Sequence, residues 1–113
     1  MSEDLEHLFD IAMMSIYHRA WDEANYKASR FHQMLCEHGG VDTAQILLLS
    51  KHVSEAYTAL WEKKRLDLTV EALILEPQWH DLFTDADRDI ARKRLQEYGY
   101  GRLTDHKMQQ DAK

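Results

Sequence analysis

The chain reads as an all-α protein: a compact single-domain bundle of about five to seven short helices, with a long first helix and a central buried helix near residues 67–75. Three observations predict this. Apolar residues recur at helical spacing along most of the chain. Only four glycines and one proline interrupt 113 residues, which suits helices joined by short turns. The stretch Lys63 to Leu75, KKRLDLTVEALIL, ends in a segment that is apolar nearly all round and has to be buried by its neighbours.

That central segment does not alternate. Leu68, Val70, Ala72, Leu73, Ile74 and Leu75 cannot form a half-buried strand, and the flanks decide between a buried strand and a helix. Asp67 is a good N-cap, able to accept from the free N–H groups of a first turn. Glu71 lies near the positive helix end. Pro77 closes the segment, because the residue before a proline is pushed out of the helical region. A helix of about two turns is marginal alone, so tertiary burial has to hold it.

Residues 2 to about 23 form the longest predicted helix, with Ser2 as cap and Glu3, Asp4 and Glu6 on the positive end of its dipole. Leu5, Leu8, Phe9, Ala12, Ile16, Ala20 and Trp21 make one stripe, widened by Met13, Met14 and Tyr17. The pattern breaks at Asn25-Tyr26 and restarts near Ser29, with Phe31, Met34 and Leu35 inward. Gly39 and Gly40 stop that second helix, since glycine supplies the left-handed position after a C-terminus. A third helix begins near Val41-Asp42-Thr43 and carries Ala44, Ile46, Leu47, Leu48 and Leu49. Ser50-Lys51-His52 connects it to a fourth, from about Ser54 to Lys63, with Ala56, Tyr57, Leu60 and Trp61 inward. Pro77 suits the first position of a new turn holding Trp79, Leu82 and Phe83. Thr84-Asp85-Ala86-Asp87 resembles a capping box, and a last helix runs through Ile90, Ala91, Leu95 and Tyr98 to Gly99 and Gly101. The domain is expected over residues 1–101, and the polar, aperiodic stretch 102–113 is expected to be disordered.

A chain of this length buries a core without disulfides or metals. The lone Cys36 forms no internal bridge and no secretory leader is visible, so a reducing cytoplasm is the expected compartment. Apolar runs fall far short of the ~20 residues of a membrane helix. A net charge of −6 argues against a sequence-independent grip on phosphate backbones.

Little in the sequence points to chemistry. There are seven histidines but no HExxH and no ExxH pair of the di-iron kind, and no metal or cofactor is expected. Cys36 and His38 lie two apart on a helix and do not face each other, so Cys36 is expected to pack as a buried small hydrophobe. Gly39-Gly40 fits no phosphate-loop pattern. Arg65, Asp67 and Glu71 suggest either a buried ion network fixing the central helix or a functional pocket, with the structural reading preferred. Lys63, Lys64 and Arg65, with Arg88, Arg92, Lys93 and Arg94, would form a basic patch if the fourth and last helices meet; solvated faces explain them equally well. The first helix carries six acids against Arg19, either as a solvated face or as a surface for a basic partner through Glu3, Glu6 and Asp10. Trp21, Trp61 and Trp79 are read as core residues rather than ligand platforms.

The strings RFHQML, HGGVDTAQILL, YTALWEKKRLDLTVEALIL, PQWHDLF and DIARKRLQEYGY, in this order, resemble a small all-helical bacterial module found alone or appended to larger, nuclease-like or defence-associated proteins. The resemblance covers about residues 8 to 101, and its most specific piece is RLDLTVEAL. It departs at Asn25-Tyr26, where the module usually has a glycine before the tyrosine. The resemblance implies a fold and a neighbourhood in nucleic-acid processing, with no catalytic residues to carry across.

The first functional expectation is therefore a non-enzymatic protein-interaction module with a protein partner, a second copy of the chain being one option, and without membrane association. Direct nucleic-acid binding through Lys63–Arg65 and Arg88–Arg94 stands second. An enzyme or small-ligand binder using Arg65, Glu71 and a histidine stands third.

Overall fold

A computed structural model describes residues 2–100, with side chains from residue 5 onward. Among the described residues six α-helices follow one another: α1 Ser2–Ala24, α2 Ser29–His38, α3 Gly40–Leu49, α4 Glu55–Glu62, α5 Val70–Ile74 and α6 Asp85–Glu97. Two 3-10 turns, Leu66–Leu68 and Pro77–Leu82, flank α5. The described residues contain no strand, and the all-α class expected from the apolar spacing is what forms. No helix among them is long and apolar enough to cross a membrane. The tail expected over 102–113 and the side chains of Ser2 and Glu3 lie outside what is described.

Helix α1 is the spine. Phe9, Met13, Ile16, Tyr17, Ala20 and Ala24 recur every three or four residues and are all buried. Near its start, Phe9 packs edge-on against Trp79 and Phe83, with ring centroids 5.2 Å apart in each case. Helices α2 and α3 pack on α1, and α5 lies between α1 and α6. As expected of the central segment, Leu66, Leu68, Val70, Leu73 and Ile74 are buried.

The start of that central helix differs from the sequence reading. Asp67 is not its cap. Leu66–Leu68 forms a 3-10 turn, and Thr69 caps α5 by accepting from the Ala72 N–H at 3.2 Å. The Thr69 hydroxyl also donates to the Leu66 carbonyl at 2.6 Å, tying the turn to the helix. Asp67 and Thr69 are equally good cap types; burial of both Leu66 and Leu68 selects the later one.

Helix ends follow local chemistry closely. Asn25 takes φ +54° after α1, a left-handed position that asparagine tolerates better than most residues. Gly39, at φ +83°, ends α2 with its N–H on the Leu35 carbonyl, and α3 starts at once from Gly40, a little earlier than expected. Helix α4 ends with Lys64 at φ +63°; the Arg65 N–H reaches the Leu60 carbonyl at 2.8 Å and the Lys64 N–H reaches Trp61 at 3.0 Å. That pair of bonds is the Schellman arrangement, here with a lysine where glycine is usual. Thr84 and Asp87 form a complete capping box on α6, each side chain bonding the other's N–H at 3.1 Å.

Three apolar expectations are corrected. Trp21 and Trp61 are 44% and 43% exposed; only Trp79 of the three tryptophans is in the core. Trp21 lies under the Lys27 ammonium, 4.7 Å from the ring centroid, and edge-on to Tyr17. Trp61 rests edge-on against Tyr98 and donates its indole N–H to the Tyr98 carbonyl at 3.2 Å. Cys36 is exposed, because Phe31 and Leu35 already fill the inward face of α2. Leu8, placed on the α1 stripe, is also exposed.

Candidate functional site

The polar group Arg65, Asp67 and Glu71 separates into two constellations. The outer one joins the end of α1 to the central segment. Arg65 donates to Asp67 through Nε at 3.0 Å and Nη2 at 3.1 Å, and to Glu23 through Nη2 at 2.6 Å. Arg19 donates to Glu23 at 3.0 Å and lies 4.0 Å from Asp67. Hydrogen bonds from Arg19 and then Arg65 hold the Glu23 carboxyl down at about 2, well below the ordinary carboxylate range. All four side chains remain partly in water, so the network orients segments more than it stabilises them.

Glu71 belongs to an inner pair instead. Its carboxylate accepts from Arg94 Nη1 at 2.9 Å, with the two side chains only 5% and 12% exposed. Arg94 also donates to the carbonyls of Leu47 (3.0 Å), Leu48 (3.3 Å) and Ser50 (2.5 Å). One guanidinium thus satisfies the open carbonyls at the end of α3 and neutralises a carboxylate on α5. Burial pushes the Glu71 pKa up, against the opposing pull of its own backbone N–H and Arg94. The sequence reading missed this partnership. A separation of 23 residues leaves no local signal, and Arg94 reads from its neighbours as one more exposed base.

The predicted basic patch is largely absorbed. Arg65 and Arg94 are engaged as above. Arg88 is buried and donates to the carbonyls of His80 (2.9 Å) and Phe83 (2.7 Å) and to Asp85 (2.5 Å). Arg92 pairs with Asp89 at 2.8 Å. Lys63, Lys64 and Lys93 are exposed. On the acidic side, Glu6 is exposed, but Asp10 has internal work: its Oδ1 accepts from the Gly40 N–H at 2.7 Å and anchors the start of α3. Among the described residues no group of three or more His, Cys, Asp and Glu side chains converges as a metal site would require.

Two kinds of surface remain. Leu8 and Ile11 on α1, and Ile46 and Leu49 on α3, are exposed apolar pairs at three-residue spacing, so each pair shares a helix face; Leu49 is 74% exposed. The other surface is concave. A groove of about 680 Å³ runs between the second half of α1, the start of α2, and the α4–α5 region. Ile16, Ala20, Phe31, Leu60, Leu68 and Val70 give it an apolar lining. Exposed Lys27, Arg30 and Glu55 lie on its rim. Tyr57 and Glu71 both line it, whereas Arg65 does not. The Tyr57 hydroxyl, on a residue 1% exposed, has no hydrogen-bond partner among the described residues.

No protein-family model matches the chain, and neither a curated protein nor a solved structure is similar enough to match it.

Proposed function

We propose that this protein is a non-enzymatic protein-interaction module, accessory to nucleic-acid processing or foreign-DNA defence. The observation that carries the reading is the pair of apolar ridges, Leu8 with Ile11 and Ile46 with Leu49, left in water by a bundle whose core is otherwise filled. Single exposed leucines are ordinary; pairs on one helix face are the anchors by which helices dock. The partner is a protein with apolar anchors inside a basic rim, complementary to the net charge of −6 and to Asp42, one turn before Ile46 on α3. The neighbourhood in nucleic-acid processing rests on the resemblance carried by RLDLTVEAL. Arg65, Arg88, Arg92 and Arg94 each already pair with a carboxylate of this chain, which favours a protein over a phosphate backbone as partner.

The test is a comparative pull-down from native lysate, with and without nuclease. Wild type is compared with Ile46→Lys/Leu49→Lys and with Leu8→Lys/Ile11→Lys, after circular dichroism shows equal helicity. The expected result is a protein that survives nuclease on the wild type and is lost from at least one variant. Retention that both variants leave unchanged refutes the docking ridges. Partners that vanish with nuclease move the reading to nucleic acid.

A further inference from the structure

The exposed ridge on α3 is charged at both ends. Asp42, Ile46 and Leu49 fall at i, i+4 and i+7, so they share one face of the helix, and all three are exposed. Lys51, two residues past the helix end, is exposed as well. The apolar pair is therefore bracketed by an acid on one side and a base on the other. Neither charged side chain forms an ion pair or hydrogen bond with another described residue. The ridge on α1 is a separate surface: Gly40 starts α3 against Phe9 and Asp10, on the side of α1 turned away from Leu8 and Ile11.

We propose that this face is a two-fold interface between two copies of the chain, an assignment that rests on the ridges being docking surfaces and names the partner of one of them. The two α3 helices lie antiparallel, with each Ile46 against the second copy's Leu49 and each Asp42 against the second copy's Lys51. A two-fold axis requires a patch complementary to itself, so that residue i meets j where j meets i. An axis midway between Ile46 and Leu49 satisfies this for the apolar pair. Asp42 then lies about 8 Å from the axis along the helix. The same reach on the other side passes the end of α3 at Leu49 and comes to the segment that holds Lys51. A parallel pairing would instead set Asp42 against Asp42, so charge selects the antiparallel one. Apolar anchors beside a base, the complement that the acidic end of this ridge calls for, are thus present on the chain itself despite its net charge of −6.

The test is sedimentation velocity on the full chain over a concentration series reaching about 1 mM, since so small an interface binds weakly. Wild type is compared with Ile46→Lys/Leu49→Lys, Asp42→Lys, Lys51→Asp, and an equimolar mixture of the last two, each first shown by circular dichroism to be as helical as wild type. The expected result is a wild-type mass that rises from one chain to two and no further. Ile46→Lys/Leu49→Lys stays monomeric, although its net charge is closer to zero. Asp42→Lys and Lys51→Asp each weaken the dimer roughly tenfold, because two exposed ion pairs are lost at once. They move the net charge in opposite directions, so a general charge effect cannot weaken both. The mixture recovers the wild-type affinity, since each new lysine then faces a new aspartate and the native Asp42 faces the native Lys51. Wild type that stays monomeric throughout overturns the dimer; capture of a different protein through the ridges, in the pull-down above, would still uphold docking itself. Dimerisation that Ile46→Lys/Leu49→Lys leaves intact overturns the α3 face. Growth beyond two copies overturns the two-fold symmetry, and a mixture no tighter than the single variants overturns the antiparallel register.

Discussion

Replacing Arg94 by methionine is the sharpest probe of what holds the bundle together. The substitution keeps an unbranched apolar stem but removes every donor. Glu71, only 5% exposed, is left as a buried carboxylate with no cation, and the carbonyls of Leu47 and Leu48 lose their partner. Breaking a buried ion pair from one side costs about 3–5 kcal/mol, a large share of the roughly 5–15 kcal/mol that holds a domain together. The sign with pH follows from Glu71. Burial already raises its pKa in the folded protein, and loss of Arg94 raises it further. A carboxyl with a raised folded pKa binds its proton more tightly in the native state. Its contribution is fully present below the ordinary carboxylate range and is lost as pH rises through the folded pKa. The deficit of Arg94→Met relative to wild type is therefore largest near neutrality and shrinks toward acid. Urea unfolding followed by circular dichroism at about pH 8 and about pH 5 measures both deficits. Adding Glu71→Gln to Arg94→Met should recover much of the loss, since no charge then remains buried. A deficit below about 1 kcal/mol at the higher pH, or one that does not change with pH, refutes the account of this pair.

Two further perturbations test the remaining structural claims. Gly40→Ala would place its Cβ 2.7 Å from Asp10 Oδ1, 3.0 Å from the Phe9 ring and 3.3 Å from the Asp10 Cα, so it should cost about 1–3 kcal/mol in thermal or chemical unfolding; an unchanged or higher Tm would mean that α1 and α3 are not that close. Glu23→Gln should lower Tm at neutral pH, with the gap to wild type closing as pH falls toward 2. A carboxyl with a depressed folded pKa contributes above the ordinary carboxylate range and loses that contribution as it protonates in the fold. A gap that stays constant down to acid would show that the Arg19–Glu23–Arg65 bridge contributes nothing.

Local rules made much of the architecture legible. The buried part of the α1 stripe (Phe9, Met13, Ile16, Tyr17 and Ala20), the Gly39 stop, the first-turn proline at Pro77 and the Thr84–Asp87 box each depend on residues within a few positions of one another, and each forms. The same is true of the burial of Leu66, Leu68, Val70, Leu73 and Ile74, which no amphipathic arrangement could have avoided. The sites were less legible. Asp10 looked like part of an acidic face until α3 brought the Gly40 N–H to it. Trp21 and Trp61 followed the apolar pattern yet lie at the margin, because position on a stripe gives direction around a helix and not the depth of what packs against it.

Residue order alone dictates that the chain is helical, where most of its helices begin and end, and that the segment around RLDLTVEAL is buried, because capping, turn chemistry and apolar periodicity act over one or two turns. Which charges meet depends on how the helices pack. Glu71 finds Arg94 across 23 residues and Arg65 finds Glu23 across 42, while Tyr57 comes to line a groove with its hydroxyl unpaired. The physical reason is range. A side chain's neighbours along the chain are fixed by helix geometry, but its partners across the bundle depend on how six helices share one core, and no short stretch of sequence contains that information.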